Sequence, residues 1–150
     1  MKQLIIVRHG EYGSDGHLND LGRTQINTLV EKLRMFINEV SVLIFTSPTD
    51  RACESAKILS IAFNATIEEH KILSSVGLDE ELSETLETVM SRKDECEILI
   101  LVAHEGFINY FLSYFAENEF GTAPRSYPAR KGEAWIIDCQ QKTLMHITAA

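Results

Sequence analysis

Residues 4–10 read Leu-Ile-Ile-Val-Arg-His-Gly, a short aliphatic run that ends abruptly in two basic side chains and a glycine. Two similar runs follow, at 42–45 (VLIF) and 98–102 (ILILV), and polar residues stop each of them. Continuous aliphatic segments of this length, bounded by turn residues, are typical of strands buried on both faces of a parallel sheet. A weaker strand is predicted near 65–68.

Four segments between or after these strands have apolar residues at helical spacing. Their apolar positions are Ile26, Leu29, Val30, Leu33 and Ile37; Ala52, Ala56, Leu59 and Phe63; Leu82, Leu86, Val89 and Met90; and Phe107, Ile108, Phe111, Leu112 and Phe115. Asn19 or Asp20 is a candidate cap for the first helix, and Ser47-Pro48 predicts the start of the second. Strands that alternate with helices favour right-handed crossovers and a parallel sheet covered on both faces.

The C-terminal region departs from this alternation. Residues 134–138 and 144–147 are two strand-like runs separated by a short polar turn, which predicts a late hairpin at an antiparallel edge. The predicted fold is therefore α/β, a three-layer α/β/α sandwich whose sheet is mostly parallel. A chain of 150 residues suits one domain, and we expect residues 1–150 to form it.

Composition limits the classes of partner and compartment. The formal net charge is -8, whereas nucleic-acid-binding proteins usually carry a basic face. Cys53, Cys96 and Cys139 form no C-x-x-C pair, and their odd number favours reduced thiols over a disulfide framework. No apolar run approaches the roughly 20 residues of a membrane span, and the N-terminus does not resemble a signal peptide. We expect a cytoplasmic protein that binds neither nucleic acid nor membranes.

Basic residues follow three of the predicted strands. Arg8 and His9 end the first run, Arg51 comes one helical turn beyond the second, and His104 follows the third. Ligands of open parallel sheets bind beyond the carboxyl ends of the strands, so these side chains should meet at one edge. Arginine offers a rigid fork of donors for phosphate oxygens, and a neutral imidazole can attack phosphorus. Each residue alone is more often structural, but together they predict a phosphoryl site.

Five segments, in this order, resemble the signature of the histidine phosphatase superfamily, the phosphoglycerate-mutase-like fold. They are Arg8-His9-Gly10-Glu11, Leu18 to Gln25, Thr46 to Ala52, Val102 to Gly106, and Lys131 to Ala134. The RHG motif alone is weak, but all five at fitting separations are specific, and they cover nearly the whole chain. The chain is most similar to the small phosphohistidine phosphatases, because it lacks the insertions of larger members.

The resemblance implies roles for the basic residues. His9 would attack phosphorus in line and become a phosphohistidine. The equatorial oxygens would be bound, and the transition state stabilised, by Arg8, Arg51 and His104. Gly10 would line the same substrate-binding site. The resemblance implies no metal and no organic cofactor.

The proton donor for a leaving alkoxide stays open among three glutamates. Family members use an acid between the second arginine and the second histidine, or one just after that histidine. Glu80 and Glu81 lie in the first region, at a predicted helix start where acidic residues are common anyway, and Glu105 directly follows His104. A phosphohistidine substrate would lessen the need for a donor, because imidazole is a far better leaving group than an alkoxide.

Three functions fit these residues. The first is removal of phosphate from phosphohistidine in a protein. The second is a phosphomonoesterase or phosphoglycerate-mutase-like enzyme for a small metabolite, whose second anionic group Arg125, Arg130 or Lys131 would bind from the long loop at 116–132. The third, ranked last, is a non-catalytic phosphate-binding regulator. The loop at 10–18 is also longer than most strand-to-helix connections, which favours a functional role.

Overall fold

The computed structural model describes residues 1–149. These residues form a six-stranded sheet that lies between two layers of helices. The strands are β1 (Gln3–Arg8), β2 (Val42–Thr46), β3 (Thr66–Glu69), β4 (Ile98–Ala103), β5 (Ala134–Asp138) and β6 (Thr143–Ile147). They lie in the order β3-β2-β4-β1-β5-β6; β1 to β4 are parallel, whereas β5 and β6 form an antiparallel edge. The predicted fold class is confirmed, including the weak strand and the late hairpin.

Four α-helices cover the two faces of the sheet. They are α1 (Asp20–Leu33), α2 (Asp50–Phe63), α3 (Asp79–Ser91) and α4 (Glu105–Phe120), and a short 3-10 helix spans Lys71–Ser74. Ile5 and Ile44 pack in the core with α1 and α2, while Leu4 and Phe45 pack in the core with α3 and α4. Because both faces are covered, β4 is buried at every position, as its unbroken aliphatic sequence predicts.

One of the two helix caps predicted from the sequence is present in the structure. The side chain of Asn19, rather than Asp20, accepts the amide of Gly22 at 2.9 Å and caps α1. α2 follows Ser47-Pro48 as predicted, but Ser47 as its cap and Pro48 in its first turn are wrong, because α2 begins at Asp50 after an extended Thr49. The hydroxyl of Ser47 lies instead 2.9 Å from Nε2 of His104, and no side chain of the described residues caps the start of α2.

Two helix ends also differ from the sequence prediction. α1 ends at Leu33, so the buried Ile37 joins the core from beyond the helix. α4 continues to Phe120, whose ring packs 5.7 Å from that of Phe115, and the left-handed Gly121 (φ 69°) ends it. The loop predicted at 116–132 is therefore shorter, since its first residues belong to α4.

Two glycines allow the loop after β1 to pack against the backbone of α1. A Cβ at Gly22 would lie 2.1 Å from the carbonyl oxygen of Glu11, and one at Gly10 would lie 2.6 Å from the carbonyl oxygen of Gly22. The amide of Glu11 also donates to the side-chain oxygen of Gln25 at 2.8 Å. These contacts fix the chain immediately after His9.

Gly22→Ala is expected to destabilise the fold. Overpacking costs about 1–3 kcal/mol, occasionally more, and here the clash is with backbone atoms that cannot rotate away. Urea unfolding should show the loss as a lower free energy of unfolding. The matched control is Gly106→Ala in α4, whose Cβ would meet no atom within 4 Å. Gly106→Ala should leave the free energy of unfolding unchanged or raise it by up to ~1 kcal/mol. Equal stability of Gly22→Ala and Gly106→Ala would contradict the close packing of Gly22 against Glu11.

Candidate active site

His9 follows β1 and is almost entirely buried, with 3% of its surface exposed. Its Nδ1 lies 2.8 Å from the carbonyl oxygen of Gly10, which can only accept, so Nδ1–H is the donor. The neutral ring therefore carries its free electron pair on Nε2. That atom accepts a hydrogen bond from Nε of Arg51 at 3.4 Å.

Burial keeps both histidines of the site neutral. It lowers the pKa of His9 from 6.5 to about 4; the hydrogen bond to Gly10 opposes this shift, and His104, Arg51 and Arg8 reinforce it. Burial, then the charges of Arg51 and Arg8, likewise lower the pKa of His104 to about 4. Neutral imidazole is the form that can act as a nucleophile, so the ring of His9 is in its reactive state at neutral pH.

A pH titration of the imidazole rings by NMR should show His9 and His104 neutral until the pH approaches 4. His17 is the internal reference, because its hydrogen bond to Glu54 and the charge of Asp50 raise its pKa above 6.5. Unfolded rings bind protons near pH 6.5, so the free energy of unfolding should fall as the pH falls from 6.5 to 4. Titration of either buried ring near 6.5 would contradict the effect of burial.

His104 follows β4 and faces His9, with ring centroids 4.9 Å apart. The hydroxyl oxygen of Ser47, at the end of β2, lies 2.9 Å from Nε2 of His104 and holds its ring. The ends of these strands meet because β4 pairs in parallel with β1 and β2, with Arg8 opposite Ala103. The topology thus places side chains from three separate strand ends together.

The two arginines reach the site from different elements. Arg8 is the last residue of β1; its Nη1 donates to the carbonyl oxygen of Ala129 at 3.0 Å and lies 3.3 Å from Oε2 of Glu105. Its Nε is buried and has no protein partner among residues 1–149. Arg51 comes from the first turn of α2. For Arg8, leaving the buried Nε–H without a partner costs free energy, and an anionic ligand would supply the missing acceptor.

The three candidate proton donors lie in different surroundings. Glu105, in the first turn of α4, has a side chain that is 59% exposed and contacts Arg8. Glu81 accepts the amide of Leu78 at 2.8 Å and so caps α3. Glu80 lines a groove between α3 and α4. Within the part of the chain that the structure describes, only Glu105 of the three contacts one of the four basic residues.

The three cations predicted to bind a second anion are separated by the fold. The ammonium of Lys131 pairs with the carboxylate of Glu11 at 2.7 Å. The guanidinium of Arg125 lies over the ring of Tyr127, 5.5 Å from its centroid. Arg130 is exposed and lines a groove beside Glu105. Of the three cations, Arg130 shares a groove with Glu105, the carboxylate that pairs with Arg8.

Tyr12 is a site residue that the sequence analysis missed. Its ring lies 5.5 Å from that of His9, and the guanidinium carbon of Arg51 lies 4.4 Å from its centroid. The length of the loop at 10–18 indicates a functional segment, but it singles out no residue within it. Only the folded chain shows that Tyr12 borders His9.

Residues 1–149 contain no group of three or more His, Cys, Asp or Glu side chains that could hold a metal ion. Cys53, Cys96 and Cys139 are free thiols. Among the helices of the described chain, none has the length and apolar character needed to cross a membrane.

The first half of the sequence matches a model of a known protein family. The model describes the histidine phosphatase superfamily (branch 1) and covers residues 4–80. The chain belongs to this superfamily. The matched segment includes His9, both arginines of the site and Glu80, whereas His104 lies beyond it. No curated protein sequence matches the chain significantly.

Solved structures share the fold at low sequence identity. The protein histidine phosphatase SixA in complex with tungstate has a TM-score of 0.73 at 16% identity, with 98% of this chain and 97% of that chain covered. The mycobacterial glucosyl-3-phosphoglycerate phosphatase has a TM-score of 0.70 at 15% identity, covering 100% and 99%. YhfR from Bacillus stearothermophilus has a TM-score of 0.71 at 16% identity, covering 96% and 94%. These likenesses establish the fold.

Proposed function

We propose that this protein is a phosphatase that forms a covalent phosphohistidine on His9. The observation that carries the proposal is the unprotonated Nε2 of the buried His9, which accepts a hydrogen bond from Arg51 and whose ring faces His104. A neutral imidazole next to fixed positive charge suits attack on phosphorus, whose transition-state charge the arginines would balance. Because arginines supply that charge, the proposal includes no metal and no cofactor.

The proposed reaction has two steps. The electron pair on Nε2 of His9 attacks phosphorus, the bond from phosphorus to the leaving group breaks, and the leaving atom takes a proton from solvent. The carbonyl of Gly10 keeps the proton on Nδ1 and so holds the ring in one tautomer. Water then attacks phosphorus, the N–P bond returns its electron pair to Nε2, inorganic phosphate leaves, and the surplus proton passes to solvent.

A phosphohistidine in a protein is the substrate that we place first. Of the candidate donors, only Glu105 contacts the basic set, and its carboxylate already faces the guanidinium of Arg8. The site thus favours a leaving group that departs with little help from an acid. Imidazole, with a pKa of about 6.5, meets this condition far better than an alkoxide, whose pKa is well above 10.

A small phosphorylated metabolite is the second candidate, and Arg130 favours it. Its exposed side chain lines a groove that also contains Glu105, so it could bind a second anionic group of such a substrate. Chain length does not separate the candidates, because the chain covers nearly all of both the histidine phosphatase and the glucosyl-3-phosphoglycerate phosphatase. A non-catalytic phosphate-binding regulator is the third candidate.

The test compares a histidine-containing protein phosphorylated with phosphoramidate against a panel of small phosphate monoesters. We expect the highest kcat/KM for the phosphohistidine, and a change of less than about threefold on that substrate in Glu105→Gln. Preference for one small ester, with a large loss in Glu105→Gln, would replace this substrate by a metabolite. Tungstate binding without turnover of either class would support the regulator.

A further inference from the structure

The ring of Tyr12 lies between two cations and the nucleophile. The guanidinium carbon of Arg51 is 4.4 Å from its centroid, the ammonium of Lys131 is 5.0 Å away, and the ring of His9 meets it at an interplanar angle of 67°. Distances below about 6 Å between a cation and a ring centroid are attractive. Tyr12 therefore contacts Arg51 directly, and its ring also packs edge-on against the imidazole of His9.

Arg51 differs from Arg8 in how its guanidinium is held. Arg8 donates to a backbone carbonyl and faces Glu105. For Arg51, the contacts found within residues 1–149 are the ring of Tyr12 and Nε2 of His9, with no carboxylate among them. A carboxylate would occupy the N–H donors that a phosphoryl group needs, whereas an aromatic face orients the guanidinium plane and leaves those donors at its edge.

The backbone around Tyr12 is itself fixed. Glu11 donates its amide to Gln25 at 2.8 Å, and its carboxylate pairs with Lys131 at 2.7 Å. This pairing lowers the pKa of Glu11 and offsets the charge of Lys131. Lys131 thus helps to fix the loop through its ion pair with Glu11. Of the two cations that lie over Tyr12, Arg51 is the one that pairs with no carboxylate of the described residues.

We propose that Tyr12 is a positioning residue for Arg51. The ring of Tyr12 aligns the guanidinium of Arg51 with the phosphoryl site above His9. This inference rests on the proposed function, since it assumes that a phosphoryl group binds there. The ring acts through Arg51 and is not itself required to touch the substrate.

Tyr12→Leu is expected to lower kcat/KM for phosphohistidine, and to weaken the affinity for tungstate measured by calorimetry, each by about 10-fold. Tyr12→Phe should recover most of both losses, because the ring rather than the hydroxyl makes the contact. Thermal unfolding of the wild type, Tyr12→Leu and Tyr12→Phe shows whether either substitution has destabilised the protein. Failure of Tyr12→Phe to recover either property would contradict the role of the ring.

A double-mutant cycle with Arg51→Ala decides between positioning and a purely structural role. If Tyr12 acts through Arg51, Tyr12→Leu should change tungstate affinity less than about twofold in the Arg51→Ala background. A full additional loss there would overturn the inference. Tungstate binding needs no turnover, so this arm remains decisive if no phosphorylated substrate is hydrolysed. A wild-type protein that binds no tungstate would overturn both the phosphoryl site and this inference.

Discussion

Replacing His9 with alanine is expected to abolish phosphate release, with a loss of kcat on the order of 10⁶-fold, as found when a covalent nucleophile is removed from an enzyme that depends on it. No neighbour can substitute easily. The ring of His104 lies 4.9 Å away, and Ser47 binds its Nε2. Rapid-quench kinetics with a ³²P-labelled substrate measures the effect directly, because it detects both phosphate release and label on the protein.

The control for His9→Ala is His17→Ala. His17 belongs to the loop that follows β1, but its ring binds Glu54 and lies near Asp50, and more than half of its side chain is exposed. We expect this control to stay within about threefold of the wild-type rate and to accumulate acid-labile phosphohistidine. Label on the His9→Ala protein, or activity within about tenfold of wild type, would refute the nucleophile assignment.

The strands are predictable from short-range sequence signals, and the cluster of basic residues follows from the parallel arrangement of those strands. The aliphatic run at 98–102 stays continuous because helices cover both faces of β4. A parallel sheet then brings its carboxyl ends together, whatever the loops do. Arg8 ends β1, His9 follows β1 and His104 follows β4; these two strands are neighbours, so the three residues meet because of the topology.

The remaining features depend on partners far away in the chain, which local patterns do not reveal. Ser47 looks like a helix cap, but its hydroxyl binds His104, 57 residues later. Glu81 is one of the three candidate proton donors, and the sequence does not show that its carboxylate accepts the amide of Leu78 and caps α3. Tyr12 carries no motif, and its surroundings form only when α2 delivers Arg51. The partners of Ser47 and Glu81 depend on which hydrogen bonds their side chains form in the folded chain, and secondary-structure patterns do not predict that choice.

Arg51→Ala should lower kcat/KM by on the order of 10²–10³-fold, the cost of removing one fixed donor from a charged transition state. Arg51 lies against the reactive atom, with its Nε 3.4 Å from Nε2 of His9. Its charge also helps to hold the pKa of His9 below 6.5, so its loss should raise that pKa. NMR titration of the His9 ring in Arg51→Ala checks this second effect independently of turnover.

Arg51→Lys separates charge from geometry. Lysine restores the positive charge, so the pKa of His9 should return toward its wild-type value of about 4. It lacks the planar fork of donors, so we expect kcat/KM to stay well below that of wild type. The surface variant Arg34→Ala, which removes a guanidinium paired with Glu31, is the matched control and should leave turnover unchanged. A loss of only a few-fold in Arg51→Ala would place this guanidinium outside the transition state, and full recovery in Arg51→Lys would show that charge alone suffices.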